Sequence, residues 1–547
     1  MKPITVIDAE TDPFGAVDYP HPFIWGFYDG SLYKTFETEE SLIEFLYPRD
    51  ITVYAHNGGK FDFHFLLDFI PEGESISVIN GRLVKFRIGN CEFRDSYPIL
   101  QSPLSAFSKL DIDYDKMRKE VRHLHMEEIK QYLQYDCVSL YNVTTKFIDT
   151  YGKHLTLPSS AINQLKKIEE IELPKQSTSM DEYLRDYYYG GRTQVFEYGL
   201  INESVTLIDI NSAYPYAMEF NHPFSETAEI IEHNKKIKSS EVIEQSFYTI
   251  KAKTKTIGPF PVRKENGGID FPITDQLTEF HVTGWELKTA IDNELCYELK
   301  VVTETRFNET RNFSTFVQKF WEQKLNSEKG SYEYIFAKLM LNSAYGKFAS
   351  NPRKYKEYKF IDINKLSKYM DFCECGNNEK CTDEKCEKSF DFERDFLYTA
   401  LVSKKLPREK WRFFNVAVGA SITGFARAYL LKGLLDVLKD GGKILYCDTD
   451  SIFFSGNCIF DNIGPDLGQW EVEGLFPRGG AIAGKKLYCF EYGNGKFKVA
   501  SKGTKLNEKD IKILAADKTA KIKYSFEAPV YTLTKKPYKL TREIRST

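Results

Sequence analysis

The sequence predicts a multidomain protein of mixed α/β and α+β class, on three observations. Its 547 residues correspond to roughly three to four domains of ordinary size. The first 150 residues combine strand patterns at 5–10 and 51–55 with helical apolar spacing over 126–148. A strand pattern at 205–210 and a helical region at 313–348 then precede a hairpin pattern at 443–454. Because 42% of the residues are apolar and 15% aromatic, the chain can bury several cores, which excludes a disordered or fibrous protein.

The net charge of −4 hides an uneven distribution of charge along the chain. Residues 485–547 carry 16 Lys and Arg against 6 Asp and Glu. A basic end beside an acidic remainder is typical of an enzyme that binds phosphates at one end and metals elsewhere. A solvated lysine-rich face would have the same composition, so charge alone leaves both interpretations open.

Several classes of protein are not expected from the composition. Charged residues interrupt every long apolar stretch, so we expect no membrane span, and the first residues lack the pattern of a removable signal. Ten cysteines are too few for a disulfide scaffold in a chain of this length, which favours a reducing compartment. Residues 156–200, rich in Tyr and Gly, are expected to form a polar connector.

A first group of acids lies in the N-terminal 150 residues. Asp8 and Glu10 share one face of a strand about 7 Å apart, as the rise per residue dictates. Asp62 follows the second strand. Asp136 lies four residues after Tyr132 on the predicted helix, so the side chains of Tyr132 and Asp136 project from one face. Any one of these acids is more often a cap or turn residue. Together the four acids and the tyrosine fit two-metal hydrolysis of a phosphodiester, with Tyr132 orienting the attacking water.

A second group of acids follows much later in the chain. Asp209 ends the strand pattern at 205–210, and Asp448 and Asp450 lie on the same side of a hairpin tip. Acids at the ends of adjacent strands can hold two magnesium ions, which prefer oxygen ligands and leave positions for phosphates. An Asp-Thr-Asp sequence is also ordinary turn chemistry, and alone it would indicate nothing more.

Three side chains between these acids form a stripe on the predicted helix. Lys338, Asn342 and Tyr345 occupy positions i, i+4 and i+7. A cation, an amide and an aromatic ring in line can neutralise a triphosphate and pack against a base. A solvated helix edge is the alternative interpretation.

The order of these motifs resembles that of family B DNA polymerases with a 3′–5′ proofreading exonuclease. The motifs are Asp8/Glu10, Asn57/Asp62, Tyr132/Asp136, 209–215, KLMLNSAYG at 338–346 and YCDTDS at 446–451. Three further features resemble the protein-primed branch found in bacteriophages with linear genomes: YYGG at 188–191, KLMLNSAYGKFASNP at 338–352 and KLY at 486–488. The resemblance spans about residues 5 to 490.

This resemblance implies an RNase H-like exonuclease domain followed by a polymerase core of palm, fingers and thumb with two insertions. The implied segments are the exonuclease (1–155), a linker with the first palm segment (156–221), a first insertion contacting terminal protein or DNA (222–310), the fingers (311–352), a second insertion (353–412), the second palm segment (413–490) and a basic thumb (491–547).

The resemblance also assigns residues to the exonuclease. Asp8, Glu10, Asp62 and Asp136 would bind its metals, Tyr132 would position the water, and Lys109 would be its auxiliary lysine. Side chains that would hold the single-stranded 3′ end, in part by stacking on bases, are Thr11, His56, Asn57, Phe61, Phe65 and Tyr114.

For the polymerase site, the resemblance implies that Asp209 and Asp450 hold both metals and that Asp448 supports them. Tyr214 would lie under the sugar and exclude a ribose 2′-hydroxyl. Contacts to the incoming nucleotide are expected from Lys324, Lys338, Asn342 and Tyr345. Contacts to DNA are expected from Tyr188, Gly190, Gly191, Lys486 and Tyr488.

The implied partners are template and primer DNA, dNTPs and a terminal protein whose Ser, Thr or Tyr hydroxyl starts synthesis. The implied cofactors are two Mg²⁺ (or Mn²⁺) ions per active site. The protein would be a monomer acting in the cytoplasm of an infected host cell.

One feature departs from the compact members of this family. Cys373, Cys375, Cys381 and Cys386 cluster within the second insertion. Four thiolates suffice for a closed tetrahedral zinc site, although the spacing is tighter than in paired knuckles and the surroundings are acidic. Reduced cysteines on a polar loop are the equal alternative.

Two other functions remain open on the sequence alone. One is a family B polymerase that extends ordinary nucleic-acid primers. The other is a nuclease or DNA-binding protein with an inactive polymerase half, against which the intact Asp209 and Asp450 count.

Overall fold

The computed structural model describes residues 2–13, 20–107, 110–370, 390–395, 399–504, 506–528 and 538–545. Its sheets and helices form several cores, which confirms the predicted multidomain α/β and α+β class. No helix within these ranges is both long enough and apolar enough to cross a membrane.

The N-terminal unit is a mixed sheet covered by a long helix. Its strands are β1 (Ile4–Thr11), β2 (Pro22–Tyr28), β3 (Tyr33–Phe36), β4 (Thr52–Ala55), β5 (Ser75–Ile79), β6 (Arg82–Ile88) and β7 (Cys91–Asp95), and its helices are α1 (Glu39–Leu46) and α2 (Met126–Tyr151). Strand β1 runs parallel to β4, and β4 runs parallel to β7. Helix α2 packs on β1 and β2 through its apolar face, as the spacing predicts.

The region expected to be a polar connector contains two helices, so that expectation is wrong. These are α3 (Leu157–Ile168) and α4 (Thr178–Leu184), followed by β8 (Thr193–Val195), β9 (Gly199–Ile201), β10 (Val205–Ile210) and α5 (Ala213–Met218). Thr156 caps α3 by accepting a hydrogen bond from the Ser159 amide. The side chains of Leu157, Ile162 and Leu165 form the buried face of this helix. The capping signal and apolar spacing were therefore present in a stretch that looked polar overall.

Residues 222–311 contain three antiparallel sheets, one of four long strands and two of two short strands each. The strands are β11 (His222–Pro223), β12 (Ala228–Lys235), β13 (Phe247–Thr254), β14 (Val262–Arg263), β15 (Ile269–Asp270), β16 (Thr274–Thr283), β17 (Cys296–Phe307) and β18 (Thr310–Arg311), with α6 (Gly284–Asp292) between β16 and β17. The four long strands lie in the order β12-β17-β13-β16.

The helical region predicted at 313–348 is a pair of helices, α7 (Ser314–Leu325) and α8 (Tyr332–Phe348). The break follows from local chemistry. Gly330 adopts φ +94°, and the Ser331 side chain accepts a hydrogen bond from the Tyr334 amide to cap α8.

The next segment extends the N-terminal sheet. Its elements are β19 (Lys356–Asp362), α9 (Leu366–Met370), β20 (Asp391–Asp395) and β21 (Thr399–Lys405). Strand β19 pairs antiparallel with β5, with Tyr358 opposite Ile76, so ten strands form one sheet. The four clustered cysteines lie outside the described residues.

The central sheet joins segments that are far apart in the chain. Helix α10 (Val416–Lys439) leads into the hairpin of β22 (Lys443–Asp448) and β23 (Ser451–Ser455), and β24 (Trp470–Phe476) follows. The strand order is β24-β10-β23-β22-β8, which places β10 against the predicted hairpin.

The C-terminal part contributes three strands of an antiparallel sheet that lies beside the central sheet. Its elements are β25 (Gly480–Gly484), β26 (Leu487–Glu491), β27 (Phe497–Ser501), α11 (Glu508–Ala516), β28 (Lys521–Ala528) and β29 (Tyr538–Arg545). The order β27-β26-β25-β9 brings residues 486–498 near the tip of the central sheet.

Two candidate active sites

The first site lies where α2 crosses β1. Asp8, Glu10 and Asp136 each present a carboxylate oxygen, and these oxygens all lie within 4.8 Å of one another. Burial and the neighbouring acids raise the pKa of both Asp8 and Glu10 well above the ordinary range. Such an arrangement is unfavourable without a cation to balance the charge.

Asp62 completes this acidic group from another element. It begins a 3₁₀ turn at Asp62–Phe69 and is only 2% exposed. Burial raises its pKa to about 7, and its charge adds to the repulsion at Asp8. Its Oδ1 has no hydrogen-bond partner among the described residues. A buried, unsatisfied carboxylate oxygen beside three other acids fits a metal ligand.

Tyr132 lies one helical turn before Asp136, as predicted. Its hydroxyl lies 3.2 Å from the hydroxyl of Tyr114, which is 49% exposed. Burial, the hydrogen bond with Tyr114 and the charge of Asp136 raise the pKa of Tyr132 above its ordinary value. Tyr132 therefore stays protonated and can donate a hydrogen bond toward the acids.

The other residues expected to hold a single strand occupy different environments. Phe61 and Phe65 form an edge-to-face pair with centroids 5.4 Å apart, and Asn57 is exposed with φ +62°. His56 instead bonds within the protein, to Ser96 Oγ at 2.9 Å and the Ser102 carbonyl at 3.0 Å. Thr11 lies on β1 and donates to the Asp12 carbonyl, and Lys109 lies outside the described residues.

Sequence reasoning missed an ion pair that supports the loop at 57–59. Arg82 donates to Asp95 at 2.6 Å and to the Asn57 side chain at 2.8 Å, while Asp95 accepts from the Gly59 amide at 3.1 Å. Asp95 ends β7, the parallel neighbour of β4. An acid at the carboxyl end of a parallel strand was the signal that could have indicated it.

The second site lies at the tip of the central sheet. Asp209 on β10 pairs in register with Ser451, and the Ile210 amide donates to the Asp450 carbonyl at 2.9 Å, so Asp209 and Asp450 meet there. Burial and the charge of Asp450 raise the pKa of Asp209 to about 8. Burial and the charge of Asp448 raise the pKa of Asp450 to about 6.

Asp448 differs from these two acids because its carboxylate has close partners. Lys486 Nζ lies 2.7 Å from it, and Thr193 Oγ1 donates at 3.0 Å. In this structure Lys486 therefore pairs with an acid of the site. Among the described residues, three acids with ligand oxygens all within 4.8 Å occur only in the first site.

Two further acids near Asp209 were not foreseen. Glu471 and Glu473 lie on β24 beside β10, and both raise the pKa of Asp209. Glu473 also pairs with Lys498 at 2.7 Å. The alternating acids of Trp470-Glu471-Val472-Glu473 were the available signal, because period two places them together on one strand face.

Two of the three residues in the predicted stripe on α8 are exposed, and the third is partly buried. Lys338 and Asn342 are exposed, and Tyr345 stacks on Tyr214 of α5 with centroids 4.0 Å apart and an 18° angle between the rings. On the adjacent helix α7, burial and the charge of Lys338 lower the pKa of Lys324. Two cations from adjacent helices would suit an anionic ligand.

One buried arginine, Arg427, holds the backbone of the YYGG segment at 188–191. Arg427 on α10 donates to the carbonyls of Tyr189 at 2.7 Å and Gly190 at 2.9 Å, and it pairs with buried Glu286 at 2.7 Å. Tyr488 is buried and packs against Tyr446, with centroids 5.2 Å apart. The Arg427–Glu286 pair spans 141 residues and could not be read from local sequence.

The sequence matches the family described as DNA polymerase type B, organellar and viral, over residues 109–410. It is 37% identical over 523 residues to the DNA-directed DNA polymerase of Enterobacteria phage PRD1, which covers 93% of this chain and 87% of the phage protein. The chain belongs to the organellar and viral type B DNA polymerases. This type B polymerase is a DNA-directed DNA polymerase, as the motif order predicts.

Other relatives agree with this membership. The DNA polymerase of Bacillus phage Nf is 26% identical over 456 residues, 77% of this chain and 70% of that protein. The structure of phi29 DNA polymerase complexed with primer-template DNA matches with a TM-score of 0.74 at 19% identity, and both chains are covered completely. This likeness shows that the type B polymerase shares the phi29 polymerase fold, and the expected resemblance to the bacteriophage type is confirmed.

Proposed function

We propose that this polymerase joins nucleotides at Asp209 and Asp450, removes mispaired ones at Asp8, Glu10, Asp62 and Asp136, and starts synthesis on a terminal protein. The observation that carries the two catalytic roles is the presence of two separate groups of acids on different sheets of one polymerase chain, with the pKa values of Asp8, Glu10, Asp62, Asp209 and Asp450 raised. The start on a terminal protein rests on the resemblance to the protein-primed branch.

Divalent cations fit both groups. Carboxylate oxygens are the ligands that Mg²⁺ and Mn²⁺ prefer, and the unsatisfied Oδ1 of Asp62 offers one more. Two ions bound at each site would activate the attacking oxygen and stabilise the leaving one. Asp209 and Asp450 would hold these ions in the polymerase site, and Asp448, held by Lys486 and Thr193, supports the turn that carries Asp450.

In the polymerase site the side chains position the substrates. Lys324 and Lys338 neutralise the triphosphate, and the stacked Tyr214 and Tyr345 pack against the sugar and the nascent base pair. The primer hydroxyl then attacks the α-phosphate in line and pyrophosphate leaves, so positioning and charge neutralisation supply most of the acceleration. Lys486, which lies beside Asp448, steadies the primer end together with Tyr488.

In the exonuclease site the frayed 3′ end stacks on Phe61 and Phe65 and bonds to Asn57. Tyr132, kept protonated, donates to the attacking water. Thr11, Tyr114 and Lys109 complete the contacts that we infer, whereas His56 acts by holding the loop, since both of its ring nitrogens are bonded internally.

We assign the segments 1–155, 156–221, 222–310, 311–352, 353–412, 413–490 and 491–547 as the sequence predicts, with the first insertion contacting terminal protein. The protein acts as a monomer in the cytoplasm of the infected host. The zinc site of the four cysteines stays a prediction, because those residues lie outside the described ranges.

Protein priming is tested by incubating the enzyme with a labelled dNTP, Mg²⁺ and the candidate terminal protein. We expect label on that protein, carried by a Ser, Thr or Tyr hydroxyl, and none with Asp209→Ala. Extension of a DNA primer without labelling of the terminal protein would favour the polymerase that uses ordinary primers. Absence of both would favour an inactive polymerase half.

The stability of the metal-free protein should depend on pH in a way set by the raised pKa values. An acid whose folded pKa lies above its unfolded value binds more protons when folded, so stability is lost as pH rises between the two. For Asp62 that window runs from about 4 to about 7. In EDTA, we therefore expect the Tm to fall as pH rises through this range, and Mg²⁺ to restore it.

The variant Asp62→Asn should reduce this dependence, to which Asp8 and Glu10 also contribute, while Asp50→Asn, whose carboxylate is 74% exposed, should not. Thermal melts at several pH values, with and without Mg²⁺, provide the measurement. An equal slope in Asp62→Asn and the wild type would contradict the assignment of the raised pKa to Asp62.

A further inference from the structure

Gly191 lies against the polymerase site and has no space for a side chain. A Cβ at this position would lie 2.7 Å from Thr449 Cγ2, 2.9 Å from Thr449 Oγ1 and 2.9 Å from the Tyr214 hydroxyl. Contacts this short force a neighbour to move. At Gly190, one residue earlier, the nearest atom would be Ile269 Cδ1 at 3.7 Å, an ordinary contact. Neither glycine has a positive φ, so the difference between them is space rather than backbone conformation.

The backbone around Gly191 is fixed and cannot retreat to make room. Arg427 donates to the Gly190 carbonyl at 2.9 Å, and the Arg192 carbonyl accepts from the Thr449 amide at 2.7 Å. The Arg192 side chain is 1% exposed and donates to the Gly258 carbonyl at 3.0 Å. A side chain at 191 would therefore displace the atoms facing it.

Tyr214 is confined from a second direction. Its ring stacks on Tyr345 of α8 at 4.0 Å, while its hydroxyl end faces the Cα of Gly191. The Tyr214 ring thus lies between helix α8, which carries Lys338 and Asn342, and the backbone of Gly191. Its position is set by both contacts, and only the Gly191 side is rigid backbone.

We propose that Gly191 is a positioning residue that sets the place of Tyr214 and thereby the selection of deoxyribonucleotides over ribonucleotides. This inference rests on the proposed role of Tyr214 under the sugar. A displaced Tyr214 ring weakens binding of the deoxyribonucleotide, which normally packs against it. A ribonucleotide already binds poorly, so the preference for the deoxyribonucleotide decreases.

The test compares kcat/KM for dCTP and CTP in single-nucleotide incorporation at saturating primer-template. We expect Gly191→Ala to lower the dCTP to CTP ratio about tenfold, mainly through a higher KM for dCTP. Gly346→Ala adds the same methyl group on α8, where no atom of the described residues beyond the adjoining helix backbone lies within 4 Å, and should leave the ratio unaltered. An unaltered ratio in Gly191→Ala would overturn the proposal.

A second comparison separates the two neighbours of Gly191. Tyr214→Phe removes the hydroxyl that the new methyl group would contact, so Gly191→Ala should change the ratio little in that background. Thr449→Ser removes the methyl group at 2.7 Å and should not restore the ratio. Rescue by Thr449→Ser but not by Tyr214→Phe would place the effect at the Asp-Thr-Asp turn and contradict the proposal.

The same assay distinguishes failure of this inference from failure of the proposed role of Tyr214. Tyr214→Ala should lower the ratio if the ring selects the sugar. If Tyr214→Ala lowers the ratio and Gly191→Ala does not, the role of Gly191 is wrong. If neither variant changes it, the role of Tyr214 is wrong and the inference about Gly191 is overturned with it.

Discussion

Replacing Asp209 with Asn should lower nucleotide incorporation by about 1,000-fold and leave 3′–5′ degradation of a single strand unchanged. Asn keeps the shape of the side chain but cannot bring negative charge to a metal. The carboxylate is partly buried and its pKa is raised to about 8 by burial and by Asp450, so neutralising it removes repulsion. We therefore expect Asp209→Asn to fold with a Tm no lower than that of the wild type in EDTA.

The measurement is extension of a primed template, with degradation of labelled single-stranded DNA followed in parallel. Glu203→Gln removes the same charge two residues before β10, where the carboxylate is 48% exposed, and should leave both activities unchanged. Incorporation by Asp209→Asn at the rate of the wild type would mean that this acid does not serve the reaction.

Replacing Asp136 with Asn should have the opposite effect, strongly lowering degradation while incorporation persists. Asp136 contributes one of the three carboxylates that lie within 4.8 Å of one another, and no other side chain of α2 supplies an acid at this point of contact with β1. We expect degradation to fall about 100-fold or more. The metal-free variant should also melt at a higher temperature, because like charges are removed from Asp8 and Glu10.

Asp149→Asn is the matched control, since Asp149 is an exposed acid on the same helix. It should alter neither degradation nor Tm. If Asp136→Asn lost incorporation together with degradation, the two activities would share one centre, contrary to the separation that we propose.

The acids of both sites could be predicted because each motif is local. Asp8 and Glu10 follow from the period of one strand, and Asp448 and Asp450 follow from one hairpin. Their approach to Asp136 and Asp209 depended on the resemblance to known polymerases, since the spacing of residues along the chain does not give distances between elements.

The supporting contacts could not be predicted, because they join distant parts of the chain. Arg427 reaches Glu286 across 141 residues, and β19 pairs with β5 from a segment much earlier in the chain. Each interaction gives a hydrogen-bond or charge partner to a group that is buried, or lies at a sheet edge, only once the sheets are assembled.

Two errors in the fold had local causes. The helices at 157–168 and 178–184 were hidden by a polar average composition, although Thr156 and Ser177 are ordinary N-caps. The break between α7 and α8 occurs at Gly330 and Ser331. It was not predicted because the apolar spacing is helical on both sides of these residues.

The central claim is that one chain holds two separate metal centres, one for joining nucleotides and one for removing them. Anomalous diffraction from crystals of the full chain grown with Mn²⁺ and primer-template DNA tests it directly. We predict Mn²⁺ peaks at Asp8, Glu10 and Asp136 and separate peaks between Asp209 and Asp450. Peaks at only one of these places, or a position for Asp209 that cannot share an ion with Asp450, would contradict the claim.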